Sequence, residues 1–121
     1  MKDEITVDGI QYVKKSVIAT TREGKEWVII RSDRAGVHYG ILESKRDAIQ
    51  GLEVTLRLAR RVFYWEGAAS LSQMAVHGIS KPESSKVSMT VDSIIISGVI
   101  EIIPIEDSAF NNLFNQPIWK V

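Results

Sequence analysis

Alternating apolar and polar positions dominate the chain. Ile5-Thr6-Val7 and Ile10-Gln11-Tyr12-Val13 are β-type runs separated by Asp8-Gly9. That dipeptide suits a type I′ hairpin turn, whose two central residues both need positive φ. Lys14 to Lys25 is polar and contains Thr20-Thr21-Arg22-Glu23-Gly24, a linker or a second turn. The pattern predicts an N-terminal β-hairpin arm over residues 1–25 and a single α+β domain over residues 26–121. Such an arm would pack on the body or reach a neighbouring subunit.

In the body, Trp27-Val28-Ile29-Ile30-Arg31 reads as a strand, Ser32 to Gly36 as a turn, and Val37 to Glu43 as the returning strand. Ser44 to Gly51 reads as a charged loop. Leu52 to Leu56 alternates and leads into Ala59-Arg60-Arg61-Val62-Phe63-Tyr64-Trp65. A helix is predicted from about Ala69 to His77, stopped by Gly78 and kept from resuming by Pro82. Lys86 to Val91 alternates again, and Ile94 to Ile103 is β-rich around a Ser97-Gly98 turn or bulge. Glu106 to Phe114 suits one short helix, and Pro117 to Val121 an edge strand or a docking tail. The expected fold is therefore α+β: mainly antiparallel sheet, one central helix and a short C-terminal helix. Regular βαβ alternation is missing, which disfavours a parallel dinucleotide-binding sheet.

The composition narrows the chemistry. With 121 residues and 45% hydrophobic content, the chain can build one core without metals or disulfides. It has no cysteine, so disulfides, thiolate zinc sites and cysteine nucleophiles are excluded. Fifteen basic residues balance fifteen acidic ones, and that neutrality argues against bulk nucleic-acid binding. The start of the chain lacks the apolar core of a signal peptide. The apolar run from Ile94 to Ile105 is broken by Ser97, Gly98, Glu101 and Pro104, so no membrane span is expected.

The candidate chemistry centres on residues 60–75. A strand carrying Arg60, Arg61, Tyr64 and Trp65 opens through Gly67-Ala68-Ala69-Ser70 onto a helix that bears Gln73. Helix N-termini present unpaired N–H groups, and small residues let an anion approach them. The same residues also fit an ordinary corner in which Ser70 caps the helix. On a strand, Arg61, Phe63 and Trp65 share one face, while Arg60, Val62 and Tyr64 share the other. Arginine and an aromatic on one face can stack a base and meet its phosphate, or can form a structural cation–π pair. Arg31 and Arg34 flank a turn that could offer donors to an anion or be a solvated hairpin tip. His38, between Val37 and Tyr39, is a candidate ligand contact. His38 and His77 are the two histidines, too few and too far apart to predict zinc. The lysine of a phosphate-binding P-loop is absent. No catalytic constellation, metal or cofactor is expected.

Residues 27–42 and 52–105 resemble a family of small, uncharacterised tailed-phage and prophage proteins. The resemblance is carried by Trp27 to Arg31, Ala35 to Gly40, the aromatic–Gly-Ala-Ala-Ser-Leu-Ser block of 59–75, Val91 to Ile94, and Ile100 to Pro104. The Lys45–Gly51 segment looks longer than in those relatives, and Ile105 stands where they often carry cysteine. The resemblance implies phage origin, a counter-defence setting and residence in the host cytoplasm, and it brings no catalytic residue. With the arginine–aromatic strand, it yields the expectation of a homo-oligomeric binding protein that sequesters a small phosphorylated nucleotide immune signal, of cyclic ADP-ribose or cyclic oligonucleotide type. The ligand-binding set is then Arg31, Arg34, His38, Arg60, Arg61, Tyr64, Trp65, Gly67, Ala68, Ser70 and Gln73. The alternatives are a module that inhibits a host or defence protein, and a structural or nucleic-acid accessory.

Overall fold

A computed structural model describes the backbone of residues 4–7 and 10–13, and residues 17–120 in full. Strands β1 (Glu4–Val7) and β2 (Ile10–Val13) pair antiparallel, with Ile5 opposite Tyr12. The predicted Asp8-Gly9 turn lies outside the described residues. Residues 17–20 run along the body. The Ala19 N–H donates to Ile105 O, the Trp27 N–H donates to Ala19 O, and Ala19 joins the core.

The body is built on four long antiparallel segments. They are β3 (Trp27–Ser32), β4 (Gly36–Ala48), β5 (Gly51–Tyr64) and β7 (Val91–Pro104), with the short β6 (Lys86–Val87) added to β5. β3 pairs with β4 and β7, and β5 also pairs with β4 and β7. The four long strands thus close on one another as a small barrel. Its interior is filled by Val28, Ile30, Val54, Leu56, Ala59, Ile96 and Val99. Because strand side chains alternate, the intervening residues Trp27, Ile29, Val37, Tyr39, Ile41 and Val62 face the other way. There they meet Met74 and Ala75 of α1 (Leu71–His77) and Ala109 and Leu113 of α2 (Asp107–Phe114). Trp27 packs edge-on against Phe110 and Phe114, with ring centroids 5.0 and 5.8 Å away. The architecture is α+β and mainly antiparallel, with two short helices on one side of the barrel.

Bulges bend these strands. Leu58 takes φ 50° and is the extra residue on β5 between the Tyr39–Arg60 and Ile41–Arg57 pairs. Gly40 sits across from this bulge. A Cβ there would come within 2.8 Å of Arg57 O, so only glycine lets the two backbones approach. β7 stays one strand through Ser97-Gly98 as a bulge. The expected charged loop at 44–51 is instead the tip of the β4–β5 hairpin. Ser44 to Ala48 pair with Gly51 to Thr55, and only Ile49 and Gln50 turn. The backbone ladder and the 2.7 Å Arg46–Glu53 ion pair hold this charged segment extended. The strand expected over Lys86–Val91 forms only at Lys86–Val87, because Ser88 to Thr90 leave the ladder before β7 begins.

Candidate binding cavity at the barrel mouth

The β4–β5 register places His38 opposite Arg61, both on the barrel side of the sheet. They open onto a cavity of about 210 Å³ that is also lined by Ala59, Phe63, Ser88, Val91 and Ile94, with Arg60 at its edge. His38 is only 1% exposed. Arg61 Nε donates to His38 Nε2 at 3.0 Å. A neutral imidazole has one donor and one acceptor nitrogen. Since Nε2 accepts, the proton belongs on Nδ1. His38 Nδ1 is buried and has no partner among the described residues. Burial, and secondarily the Arg61 charge, lower the His38 pKa from 6.5 to about 4, so the ring is neutral at physiological pH.

Arg61 is half-buried, with its backbone N–H on Ser88 Oγ at 2.8 Å and its guanidinium carbon 5.8 Å from the centroid of Phe63. Its two terminal amino groups make no hydrogen bond or ion pair among the described residues. The cavity therefore combines apolar walls, two arginines and a histidine with one unsatisfied imidazole donor. A buried donor without an acceptor costs about 1–3 kcal/mol, which a bound acceptor would recover.

The structure separates the other predicted residues. Arg60 is 5% exposed, and its guanidinium donates to Ser88 O at 2.7 Å, Gln116 O at 2.7 Å and Pro117 O at 3.3 Å. It fastens the C-terminal tail, which engages three of its five N–H donors. Trp65 leaves the face of Arg61 and Phe63 because the strand ends at Tyr64. Its indole N–H donates to Ala68 O at 3.1 Å, and its ring packs against the helix-side core. Tyr64 is exposed, and its hydroxyl donates to Glu66 Oε2 at 3.2 Å, which raises its pKa.

The Gly67–Ser70 turn is a capped corner. Ser70 Oγ accepts the Gln73 N–H at 3.1 Å, and Gln73 Oε1 accepts the Ala69 N–H at 2.8 Å. Two of the donors an anion would need are thereby consumed. A Cβ on Gly67 would come within 2.6 Å of Lys81 N, so this glycine serves packing against 80–81. Arg31 pairs with Glu101 at 2.7 Å on the surface. Arg34 lies in a separate hollow of about 400 Å³ beside Asp33, Gln50, Ser97 and Gly98. Of the predicted set, His38, Arg60 and Arg61 converge. Phe63, Ser88, Val91 and Ile94 are additions. Alternation could have placed Phe63 beside Arg61, whereas no local signal brings 88–94 across.

A larger hollow of about 440 Å³ adjoins the cavity and shares Phe63 and Ser88 with it. Phe63 (54% exposed) and Trp119 (41% exposed) meet there with centroids 5.6 Å apart, beside exposed Met89 and Ile118. Among the described residues no three His, Cys, Asp or Glu side chains converge on a common point, and no helix is long and apolar enough to cross a membrane. A family model described as a domain of unknown function (DUF6948) matches residues 25–113. No curated protein and no solved structure matches the chain.

Proposed function

The chain belongs to the DUF6948 family, and we propose that it is a non-catalytic binding module that sequesters a small phosphorylated nucleotide signal of bacterial immunity, in a phage counter-defence setting. The observation that carries the binding reading is the buried His38 Nδ1–H, left without an acceptor beside a guanidinium with free amino groups. A phosphate oxygen satisfies both, and the Phe63 ring offers a face for a base. This replaces Tyr64 and Trp65 as the stacking residues. A catalytic reading is weaker. His38 is held neutral by a pKa of about 4, whereas a general base works best with a pKa near the operating pH.

A volume of about 210 Å³ is below the roughly 300–1,000 Å³ of ordinary ligand pockets. One cavity therefore holds part of a nucleotide, which favours a homo-oligomer whose second copy covers the remainder. The exposed Phe63, Met89, Ile118 and Trp119 row favours a second reading, a module that docks on a host or defence protein.

The test is a thermal-shift screen against cyclic ADP-ribose isomers and cyclic di- and trinucleotides. A ligand near a hundred times its Kd stabilises by about 2.7 kcal/mol, which reads as a rise of several degrees that Arg61→Ala removes. Flat melting curves with every nucleotide would turn the assignment to the docking reading.

A further inference from the structure

We propose that the His38–Arg61 cavity selects a monoanionic group able only to accept hydrogen bonds, a phosphodiester or a carboxylate on a flat apolar body, and rejects amines. The inference deepens the binding reading and rests on it for the claim that this cavity takes a ligand.

The unpaired polar groups of the two site residues are all donors. They are the Nδ1–H of His38 and the terminal amino groups of Arg61. The neighbouring acceptors are already engaged. His38 Nε2 holds the Arg61 Nε–H, and Ser88 Oγ accepts the Arg61 N–H while donating to Met89 O at 2.9 Å. Arg60, which also lines the cavity, directs its guanidinium to three carbonyls. An ammonium entering here would meet a positive charge and no acceptor. A carboxylate or phosphodiester oxygen would receive two or more charge-assisted bonds.

Charge count sets the valence. Arg61 has no carboxylate partner, since the ion pairs among the described residues are Lys25–Glu43, Arg31–Glu101 and Arg46–Glu53. With His38 neutral and the Arg60 charge resting on three carbonyl oxygens, Arg61 supplies the one charge whose terminal amino groups are unengaged. One negative charge neutralises it, whereas a dianion would leave a second charge uncompensated against apolar walls, at a heavy desolvation cost. Those walls are Ala59, Phe63, Val91 and Ile94. An apolar cavity of about 150 Å³ accommodates benzene, so about 210 Å³ admits one ring with a small head group.

The experiment is nitrogen-15 NMR on the full chain, following the His38 imidazole and the Arg61 guanidinium. The probes are benzoate, methyl phenyl phosphate and benzylamine at matched concentrations. The free protein should show His38 protonated on Nδ1. Benzoate or methyl phenyl phosphate should shift both side chains saturably, and the tighter of the two tells carboxylate from phosphodiester. Benzylamine should leave both side chains unmoved. Arg61→Gln should weaken the tighter anion about tenfold or more, and the wild-type titrations decide alone if that variant does not fold. The proposal is overturned by an Nε2-protonated free imidazole, by benzylamine acting as strongly as the anions, or by silence with both anions. A nucleotide that stabilises the protein while His38 and Arg61 stay silent overturns this inference and leaves the sequestration reading standing. Anion binding at His38 without stabilisation by any nucleotide does the reverse.

Discussion

His38 is a basic side chain that the fold keeps uncharged. The register puts it under Arg61, and its neighbours bury it to 1% exposure. Its folded pKa of about 4 lies below the ordinary 6.5. Between those values the unfolded chain takes up a proton that the native chain refuses. Stability contributed by this residue is therefore complete above pH 6.5 and declines as pH falls towards 4. A shift of this size corresponds to a loss on the order of 3 kcal/mol across that window. Urea unfolding of wild type and His38→Gln at pH 7.5 and pH 4.5 checks it. The wild type should lose markedly more stability than the variant over the interval, and equal losses would remove His38 as the cause. The sequence made His38 visible as one of two histidines on an alternating strand. It could not show the Arg61 contact, because residues 38 and 61 meet only through a register that spans two bulges and a hairpin.

At the scale of elements, capping and pairing decide what residues 60–75 do. Ser70 is the N-cap of α1, with φ −154° and its hydroxyl on the Gln73 N–H. Ser70→Ala should therefore cost about 1 kcal/mol of stability, read as a lower urea midpoint, with no change in affinity for any ligand of the barrel-mouth cavity. A loss of affinity at unchanged stability would restore the corner as a binding element. Both short helices were legible within about two residues, from Ser70, Gly78 and the 106–114 pattern. The β4–β5 hairpin was not. Its outer half is charged and exposed, so periodicity says loop, while the ladder from Ser44–Thr55 to Ala48–Gly51 makes it strand. The bulges at Leu58 and around Gly98 also shift which residues face the barrel. Alternation followed across them assigns the wrong face, and alternation from Arg60 to Phe63, between bulges, assigns the right one.

For the molecule as a whole, the C-terminal tail ties the barrel to the helical layer, and Arg60 is its anchor. The Arg60 guanidinium is buried without a carboxylate, and its charge rests on the carbonyls of Ser88, Gln116 and Pro117. The Trp119 N–H donates to Val87 O at 2.8 Å, which extends the grip along β6. Gln116 Nε2 in turn donates to Asn112 O at 3.0 Å and Oδ1 at 2.9 Å, reaching α2. A lysine at 60 would keep the charge but could not span three carbonyls set by a planar fork. Arg60→Lys should thus cost about 2–4 kcal/mol, since bonds to charged groups are worth about 1.5–3 kcal/mol each. Deleting residues 116–121 removes two of the three acceptors, so the two changes must couple. A double-mutant cycle by urea unfolding should give a coupling of about 1–3 kcal/mol, with Arg60→Lys cheaper in the truncated chain. Additive costs would mean that Arg60 stabilises the barrel through Ser88 alone and that the tail is held by its apolar contacts. Because Trp119 leans on Phe63, which also lines the cavity, the same truncation should change anion affinity at His38 and Arg61 if the tail shapes that wall, and leave it unaltered if Phe63 is held by the barrel.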